Sequence, residues 1–488
     1  MIGMTLAEVA SAVGGVLHGA TGAVAVTGGV EFDSRQIGPG GLFVAVPGER
    51  VDGHDFAAAA IAAGAVGVLA GRPVGVPSVV APRLAVGSPS TSYALAADTD
   101  GAGAAVLAAL SALARTVVHT LSQTGLQVVG LTGSSGKTST KDMVAALLAP
   151  LGPTVAPPGS FNNEIGHPWT ALRADATTRH LVLELSARAC GQIAALCQVA
   201  PPSIGVVLNV GSAHLGEFGS RDAVATAKGE LVEALPAAGL AVLNADDPVV
   251  AAMDRRTAAR VVRFGQSPSA EVRATGLVPD GRGCFSFRLI TPVGEAGVAL
   301  TVPGEHQVSN ALAAAAVAVE LGATPAGIAA VLRCYRPASR WRMEVTDRHD
   351  GVTVVNDAYN ANPESVAAAL RALVAMAGTE RRSWAVLGPL AELGEATAQA
   401  YRTIGALAAS LGVDRLVVVG EQARSLCSGT AWSSTGASAP VLVADAAAAL
   451  ELLHNELAPG DVVLIKASRT VGLERIAQGL LDAEGSNR

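Results

Sequence analysis

The residues best suited to chemistry stand in Thr132-Gly133-Ser134-Ser135-Gly136-Lys137-Thr138-Ser139, behind a short apolar run of Val128, Val129 and Leu131. A helical pattern follows, with Met143/Leu147 and Val144/Leu148 recurring four residues apart on one face. Strand, glycine-rich turn and helix start form a phosphate cradle, because turn N–H groups and the positive helix end converge on anionic oxygens. Lys137 supplies a positive charge for β- and γ-phosphates, and the Thr138 hydroxyl a ligand for Mg²⁺. The strict spacing G-x-x-x-x-G-K-[ST] is not met, since its first glycine would fall on Leu131. A tight turn with no ligand is the plain alternative, and the Lys-Thr pair between strand and helix argues for a nucleotide. The stretch alone does not separate a GTPase, a kinase, a transporter ATPase or a ligase.

Other reactive side chains sit at the predicted ends of strands. His180–Leu185 reads as a strand carrying Glu184 near its end, and Ile204–Val210 as a strand followed by Gly211-Ser212-Ala213-His214. In a parallel sheet the carboxyl ends of strands line the ligand crevice, so Glu184 and His214 are expected on the cradle's edge. A carboxylate there suits Mg²⁺. Histidine is an unusual partner for so hard an ion, and a structural loop histidine is the alternative. Lys228, on a predicted helix Arg221–Leu235, reads by itself as a solvated surface lysine. His306 and Asn310 stand four apart on a helix and can reach one ligand. Asp33-Ser34-Arg35 and the turn from Gly48 to Asp55 suit an anion, or are solvated turns.

Three blocks must position these groups. Residues 1–122 carry their own strand and helix signals, with Ala104–Val118 as a helix leading into the next block. Residues 123–337 begin with the cradle and alternate strand and helix. Residues 338–488 repeat that alternation, with strands at Val352–Val355, Ser383–Leu387, Arg415–Val419 and Asp461–Ile465. Asn362 reads as an N-cap and Pro363 as the first helical residue, which pins Asn356-Asp357-Ala358-Tyr359-Asn360-Ala361 at a helix mouth.

Composition narrows the function classes. Half of the 488 residues are hydrophobic, yet aromatics make up only 3%, so the apolar excess is largely Ala and Val. No uncharged apolar stretch reaches the ~18 residues that span a bilayer, and no signal peptide is visible. A net charge of −7 without a long basic block argues against nucleic acid. Five scattered cysteines without a C-x-x-C argue against a zinc site or a disulfide framework, and for reduced thiols in a cytoplasm.

Taken together these motifs resemble the Mur ligases, the ATP-dependent amide-forming enzymes of peptidoglycan precursor synthesis. The likeness runs from Asp33-Ser34-Arg35 to Lys466-Ala467-Ser468-Arg469, through T-G-S-S-G-K-T, F-N-N-E-I-G, N-V-G-S-A-H and H-x-x-x-N. D-A-Y-N-A-N-P at Asp357–Pro363 resembles the branch that adds D-Ala-D-Ala to a UDP-N-acetylmuramoyl-tripeptide. A sister amide ligase with another acceptor, related to other Mur ligases or to folylpolyglutamate synthases, is the alternative. A nucleotide-binding switch is a third reading; it would not need Asp357, Arg342 and Lys466 in a third domain.

The resemblance implies three α/β domains: a small UDP-binding domain, a central P-loop-type ATPase domain with a mostly parallel sheet, and a C-terminal Rossmann-like domain. It implies ATP and Mg²⁺, and an acyl phosphate on the tripeptide that the dipeptide amine attacks. Lys137 and Arg342 would stabilise the approaching charges; Thr138 and Glu184 would hold one Mg²⁺, and His214 with a carbamylated Lys228 a second. The cradle from Thr132 to Ser139, Asn163, Arg342, His306 with Asn310 at the adenine, and Asp357 at the ribose or phosphates would bind the nucleotide. Ser34, Arg35 and the turn Glu49, Arg50, Val51 would hold the uridine diphosphate. Asn162, Asn163, Arg188, Tyr359, Asn360, Asn362, Lys466 and Ser468 would meet the peptide substrates. A cytoplasmic monomer with small-molecule partners, no membrane insertion, and hinge closure near residues 122 and 337 complete the expectation.

Overall fold

The computed structural model describes residues 1–48, 51–83, 95, 98, 100–212, 215–391, 393–394, 397–428 and 438–482. The cradle strand, Gln127–Thr132, lies inside a nine-stranded sheet, where apolar residues on both faces can be covered. Across the sheet the order is Gly294–Pro303, Cys284–Thr291, Val272–Pro279, Arg260–Gly265, Leu240–Asn244, Ile204–Val207, Gln127–Thr132, His180–Glu184, Thr154–Val155. The strands from Thr154–Val155 to Val272–Pro279 run parallel, and Cys284–Thr291 pairs antiparallel with both Val272–Pro279 and Gly294–Pro303. That antiparallel extension is absent from the reading of the sequence, although Cys284–Thr291 alternates buried and exposed positions in part. Register sets Glu184 beside Leu131 and Val207 beside Thr132, so their carboxyl ends share one edge with the cradle.

Helices cover both faces. On one, the cradle helix Lys137–Leu148 packs against His306–Glu320, burying Met143, Val144, Leu147 and Leu148 with an Ala-rich surface. On the other, Arg221–Glu233 and Gln192–Val199 pack together, and Ala102–Ser122 crosses to the N-terminal part. Ala102–Ser122 is long and apolar enough to span a bilayer by length and composition. Its Leu110, Leu113, Val117 and Leu121 are instead packed into the core shared with Leu6, Val9 and Val13. The helix Leu6–Val13 carries a capping box in which Thr5 and Glu8 bond reciprocally.

The N-terminal part holds a five-stranded sheet, ordered Val16–His18, Ser78–Val80, Ala65–Ala70, Gly41–Val44, Val30–Glu31. The C-terminal part holds six strands, ordered Glu344–Asp347, Thr353–Asn356, Val462–Lys466, Ser383–Leu387, Arg415–Val419, Val441–Val443, parallel except for the first. Strands Thr353–Asn356 and Val462–Lys466 are neighbours, so Asp357 and Lys466 meet at their carboxyl ends. Asn362 caps the helix Pro363–Ala377 with Pro363 at its first position, as the sequence leads one to expect.

Candidate active site

Gly136 opens the cradle helix at φ 78, and a Cβ there would lie 2.5 Å from Asn310 Oδ1, so only glycine fits. No side chain caps that helix, which leaves its first N–H groups to an anion. The turn before it is used differently from the sequence expectation. Asn209 Oδ1 accepts the N–H groups of Ser134 and Ser135 at 3.0 and 2.9 Å, so these two donors brace the loop. Thr132 is fully buried, with its hydroxyl donating to the Leu185 carbonyl at 2.9 Å, and it does not line the cleft. Lys137 Nζ donates to the Gly133 carbonyl at 2.8 Å, across the cradle mouth.

A chain of hydrogen bonds leads away from Thr138. Its hydroxyl donates to Glu184 Oε2 at 3.0 Å and accepts from Arg342 Nη2 at 3.0 Å. Glu184 is buried, and its other oxygen accepts from Ser160 at 2.9 Å and Asn162 at 2.8 Å. Arg342 comes from the C-terminal part and stacks over Tyr359, 4.1 Å from the ring centre. Asn362 Nδ2 donates to the Ser134 carbonyl at 3.2 Å, and Glu364 accepts from Ser212 N–H at 2.7 Å. The third domain therefore rests directly on the cradle.

Lys466 is buried and donates to Asp357 Oδ2 at 2.6 Å and the Asn360 carbonyl at 2.9 Å. Burial lowers its pKa while Asp357 opposes the shift. Asp357 Oδ1 also accepts the Met343 N–H at 3.1 Å. Ser468 accepts the Ala391 N–H at 2.7 Å. Burial pushes His306 down to about 4, so it is neutral at pH 7. Asn310 accepts from Thr140 at 3.2 Å, which fixes its amide beside Gly136.

One cleft of about 1020 Å³ collects most of these groups. Its lining includes the cradle from Ser134 to Ser139, Asn162, Asn163, Glu184, Arg188, His306, Asn310 and Arg342. From the C-terminal part it adds Asp357, Tyr359, Asn360, Asn362, Lys466 and Ser468. Leu107 on the helix Ala102–Ser122, Gln192 and Leu196 also line this cleft.

Other predicted residues lie elsewhere. Lys228 is buried, at 4% exposure, which corrects the reading of a solvated surface lysine: one face of its helix packs onto the sheet. Burial, with Lys137 nearby, sets its pKa well below that of a free lysine. Ser34, Arg35 and Val51 do not line the cleft. Arg35 is held by Asp33 at 2.8 Å. Phe32, next to Asp33, packs edge-on to Trp169 at 5.7 Å and lies 6.3 Å from the Phe161 ring, which ties this turn to the loop carrying Asn162 and Asn163. Glu49, Arg50 and His214 lie outside the described residues.

Sequence reasoning missed the roles of Asn209, Ser160 and Glu364. Asn209 follows an apolar strand, as crevice residues do, and was legible in that sense. Nothing local distinguishes Ser160 or Glu364. Thr138, Glu184 and Ser160 offer hard oxygens, which fit Mg²⁺. No group of three or more His, Cys, Asp or Glu that could hold a metal occurs among the described residues, so such an ion would need substrate oxygens or water as well.

Known proteins resemble this chain along nearly its whole length. Residues 27–114 match the Mur ligase family, catalytic domain; 131–318 the Mur ligase middle domain; and 341–469 the Mur ligase, glutamate ligase domain. The chain is 54% identical to the UDP-N-acetylmuramoyl-tripeptide--D-alanyl-D-alanine ligase of Mycobacterium tuberculosis, with 100% of each chain covered. It is 34% identical to the ligase of that name in Escherichia coli, over 98% of this chain and 99% of the other. Among solved structures, MurF from Acinetobacter baumannii superposes with a TM-score of 0.82 at 28% identity, over 98% and 99% of the two chains. MurF from Thermotoga maritima in complex with ADP gives 0.75 at 28% identity, over 95% and 99%.

Proposed function

This chain belongs to the Mur ligase family, and we propose that it joins D-alanyl-D-alanine to UDP-N-acetylmuramoyl-tripeptide, with ATP turned over to ADP and phosphate. The observation that carries this reading is the Arg342–Thr138–Glu184 chain, in which the C-terminal part reaches the phosphate cradle across one cleft. The terminal carboxylate of the tripeptide attacks the γ-phosphorus, the bond to the ADP oxygen breaks, and an acyl phosphate forms. The dipeptide amine then attacks the acyl carbon, and phosphate leaves with the bonding pair.

Each step brings anions together, so fixed cations at the γ-position lower the barrier. Lys137 and Arg342 fill that role, and the uncapped helix end holds the β-phosphate. Thr138 and Glu184 would hold Mg²⁺, which when bound supplies further positive charge to the phosphates. Lys228 fits carbamylation, since burial favours a neutral amine able to attack CO₂; the product would offer an oxygen ligand to Mg²⁺, with His214 proposed as a second ligand of that ion. His306 and Asn310 border the adenine side, and Asp357 the ribose or phosphates. Tyr359, Asn360, Asn362, Lys466 and Ser468 receive the dipeptide, Asn162, Asn163 and Arg188 the tripeptide, and Ser34, Arg35, Glu49, Arg50 and Val51 the uridine diphosphate. Domains spanning 1–122, 123–337 and 338–488 in a cytoplasmic monomer are part of the same proposal.

Mass spectrometry of the product from ATP, Mg²⁺, UDP-tripeptide and D-Ala-D-Ala tests it. A UDP-pentapeptide formed with stoichiometric ADP is the expected result. Product with another acceptor, and none with the dipeptide, would favour the sister amide ligase.

A further inference from the structure

One turn past Lys137, the cradle helix carries a second lysine, Lys141, at 1% exposure, with Asp142 beside it, also buried. The two form an ion pair with each other. Neither takes part in the chemistry above. Lys141 Nζ also donates to the Pro157 carbonyl at 2.7 Å and to Ser339 Oγ at 3.3 Å. Asp142 Oδ2 accepts the Ser339 N–H at 3.0 Å. Three segments therefore meet at one buried pair. They are the helix that opens on the phosphates, the chain leading to Ser160 and Asn162 at Glu184, and the linker into the C-terminal part.

Ser339 stands three residues before Arg342, and the backbone between them is unusual. Trp341 at φ 60 and Met343 at φ 51 are left-handed, a conformation bulky L-residues avoid. Such strain persists only where the surroundings over-determine it. Downstream, the Met343 N–H is fixed by Asp357 at 3.1 Å; upstream, the fixed point is Ser339 on Asp142. Arg342 is thus suspended between two buried anchors, one on each domain.

We propose that Lys141 and Asp142 are positioning residues: they clamp the linker at Ser339 to the phosphate helix, so that Arg342 is held at Thr138, where the nucleotide's phosphates would meet it. This rests on the assignment of Arg342 to the γ-phosphate given above. The clamp converts a polar demand of two buried charges into a fixed register between domains. A buried pair can often be replaced by apolar residues without loss of stability, so keeping the fold is not what demands it.

The test is the double variant Lys141→Met/Asp142→Leu, which keeps the volume and removes all polar contacts to the linker. Thermal midpoint and ADP affinity are expected to stay close to those of the unaltered protein. KM for ATP should change less than about threefold while kcat falls about 30-fold or more, the size expected of a misplaced catalytic group. A folded variant with unaltered kcat overturns the proposal, as does a loss confined to KM. Should the variant fail to fold, amide exchange in the unaltered protein decides. A Ser339 N–H protected in the absence of ligands supports the clamp, and exchange at the rate of an open chain overturns it. If the unaltered protein makes no UDP-pentapeptide, the functional assignment fails, while the exchange measurement still judges the anchor.

Discussion

Two buried lysines, one in the C-terminal part and one in the central part, are held in opposite ways. Lys466, on the C-terminal side, is matched by Asp357 and two carbonyls, so its charge is part of a closed network. Lys228, on the helix Arg221–Glu233, is also buried, yet has no ion pair among the described residues, and its charged neighbour Lys137 repels it. The first arrangement suits a permanent cation that fixes the loop Asp357–Asn362. The second suits a neutral amine, which is a nucleophile and not a strut. Burial alone therefore does not say what a lysine is for; its partners do.

The largest effect on this contrast should come from the cradle's own lysine. Lys137→Ala is expected to lower ATP-dependent phosphate release by about 10³-fold while UDP-substrate binding by calorimetry stays largely intact. Turnover retained in this variant would detach the cradle from the chemistry. Next, Lys466→Met leaves Asp357 buried without its partner and should cost about 3–5 kcal/mol in denaturant unfolding, besides lowering kcat. Lys228→Met should cost much less stability, because an uncharged group replaces one that burial already disfavours as a cation. If the two variants unfold alike, the two lysines do not differ in how their charge is held.

A sharper probe of the second lysine is chemical. Lys228→Ala should lose activity and regain part of it when short carboxylic acids are added, since these restore the oxygen that carbamylation would supply. No rescue, with unmodified electron density at the Lys228 side chain of the unaltered protein, would leave Lys228 as a packing residue.

A smaller effect concerns acid. His306 and the fully buried His167 are both lowered by burial to about 4, against about 6.5 in an open chain. Between these values the unfolded chain binds more protons, so stability present above pH 6.5 is lost as pH falls toward 4. Urea melts of His306→Gln should show a flatter profile across that window. The smallest change is expected far from both lysines: Arg35→Ala should raise KM for the UDP-tripeptide about fivefold with kcat unchanged.

Much of the site was legible because short stretches carry it. A strand, a turn with Gly136 and a helix beginning at Lys137 make a cradle from contiguous residues, and Asn362-Pro363 states its own helix start. Glu184 could be placed at the cradle's edge because a parallel sheet aligns strand ends. Lys228 could not be read, because Ala-Thr-Ala-Lys-Gly-Glu looks the same on an exposed helix as on a covered one. Lys141, Asp142 and Ser339 escaped for a similar reason: the first two look like ordinary helix-surface charges, and their partner lies almost 200 residues away. The antiparallel strands Cys284–Thr291 and Gly294–Pro303 belong to the sheet through pairing that local pattern only partly announces.

By itself, then, the order of residues determined the phosphate cradle, the alternation of strand and helix, and the family, since each depends on neighbours a few positions apart. Only the tertiary structure decided which charges lose water and which find a partner: Arg342 on Thr138, Lys466 on Asp357, Lys228 beside Lys137. The physical reason is that desolvation and Coulomb energies depend on distance in space, and in a chain this long distance in space is fixed by packing.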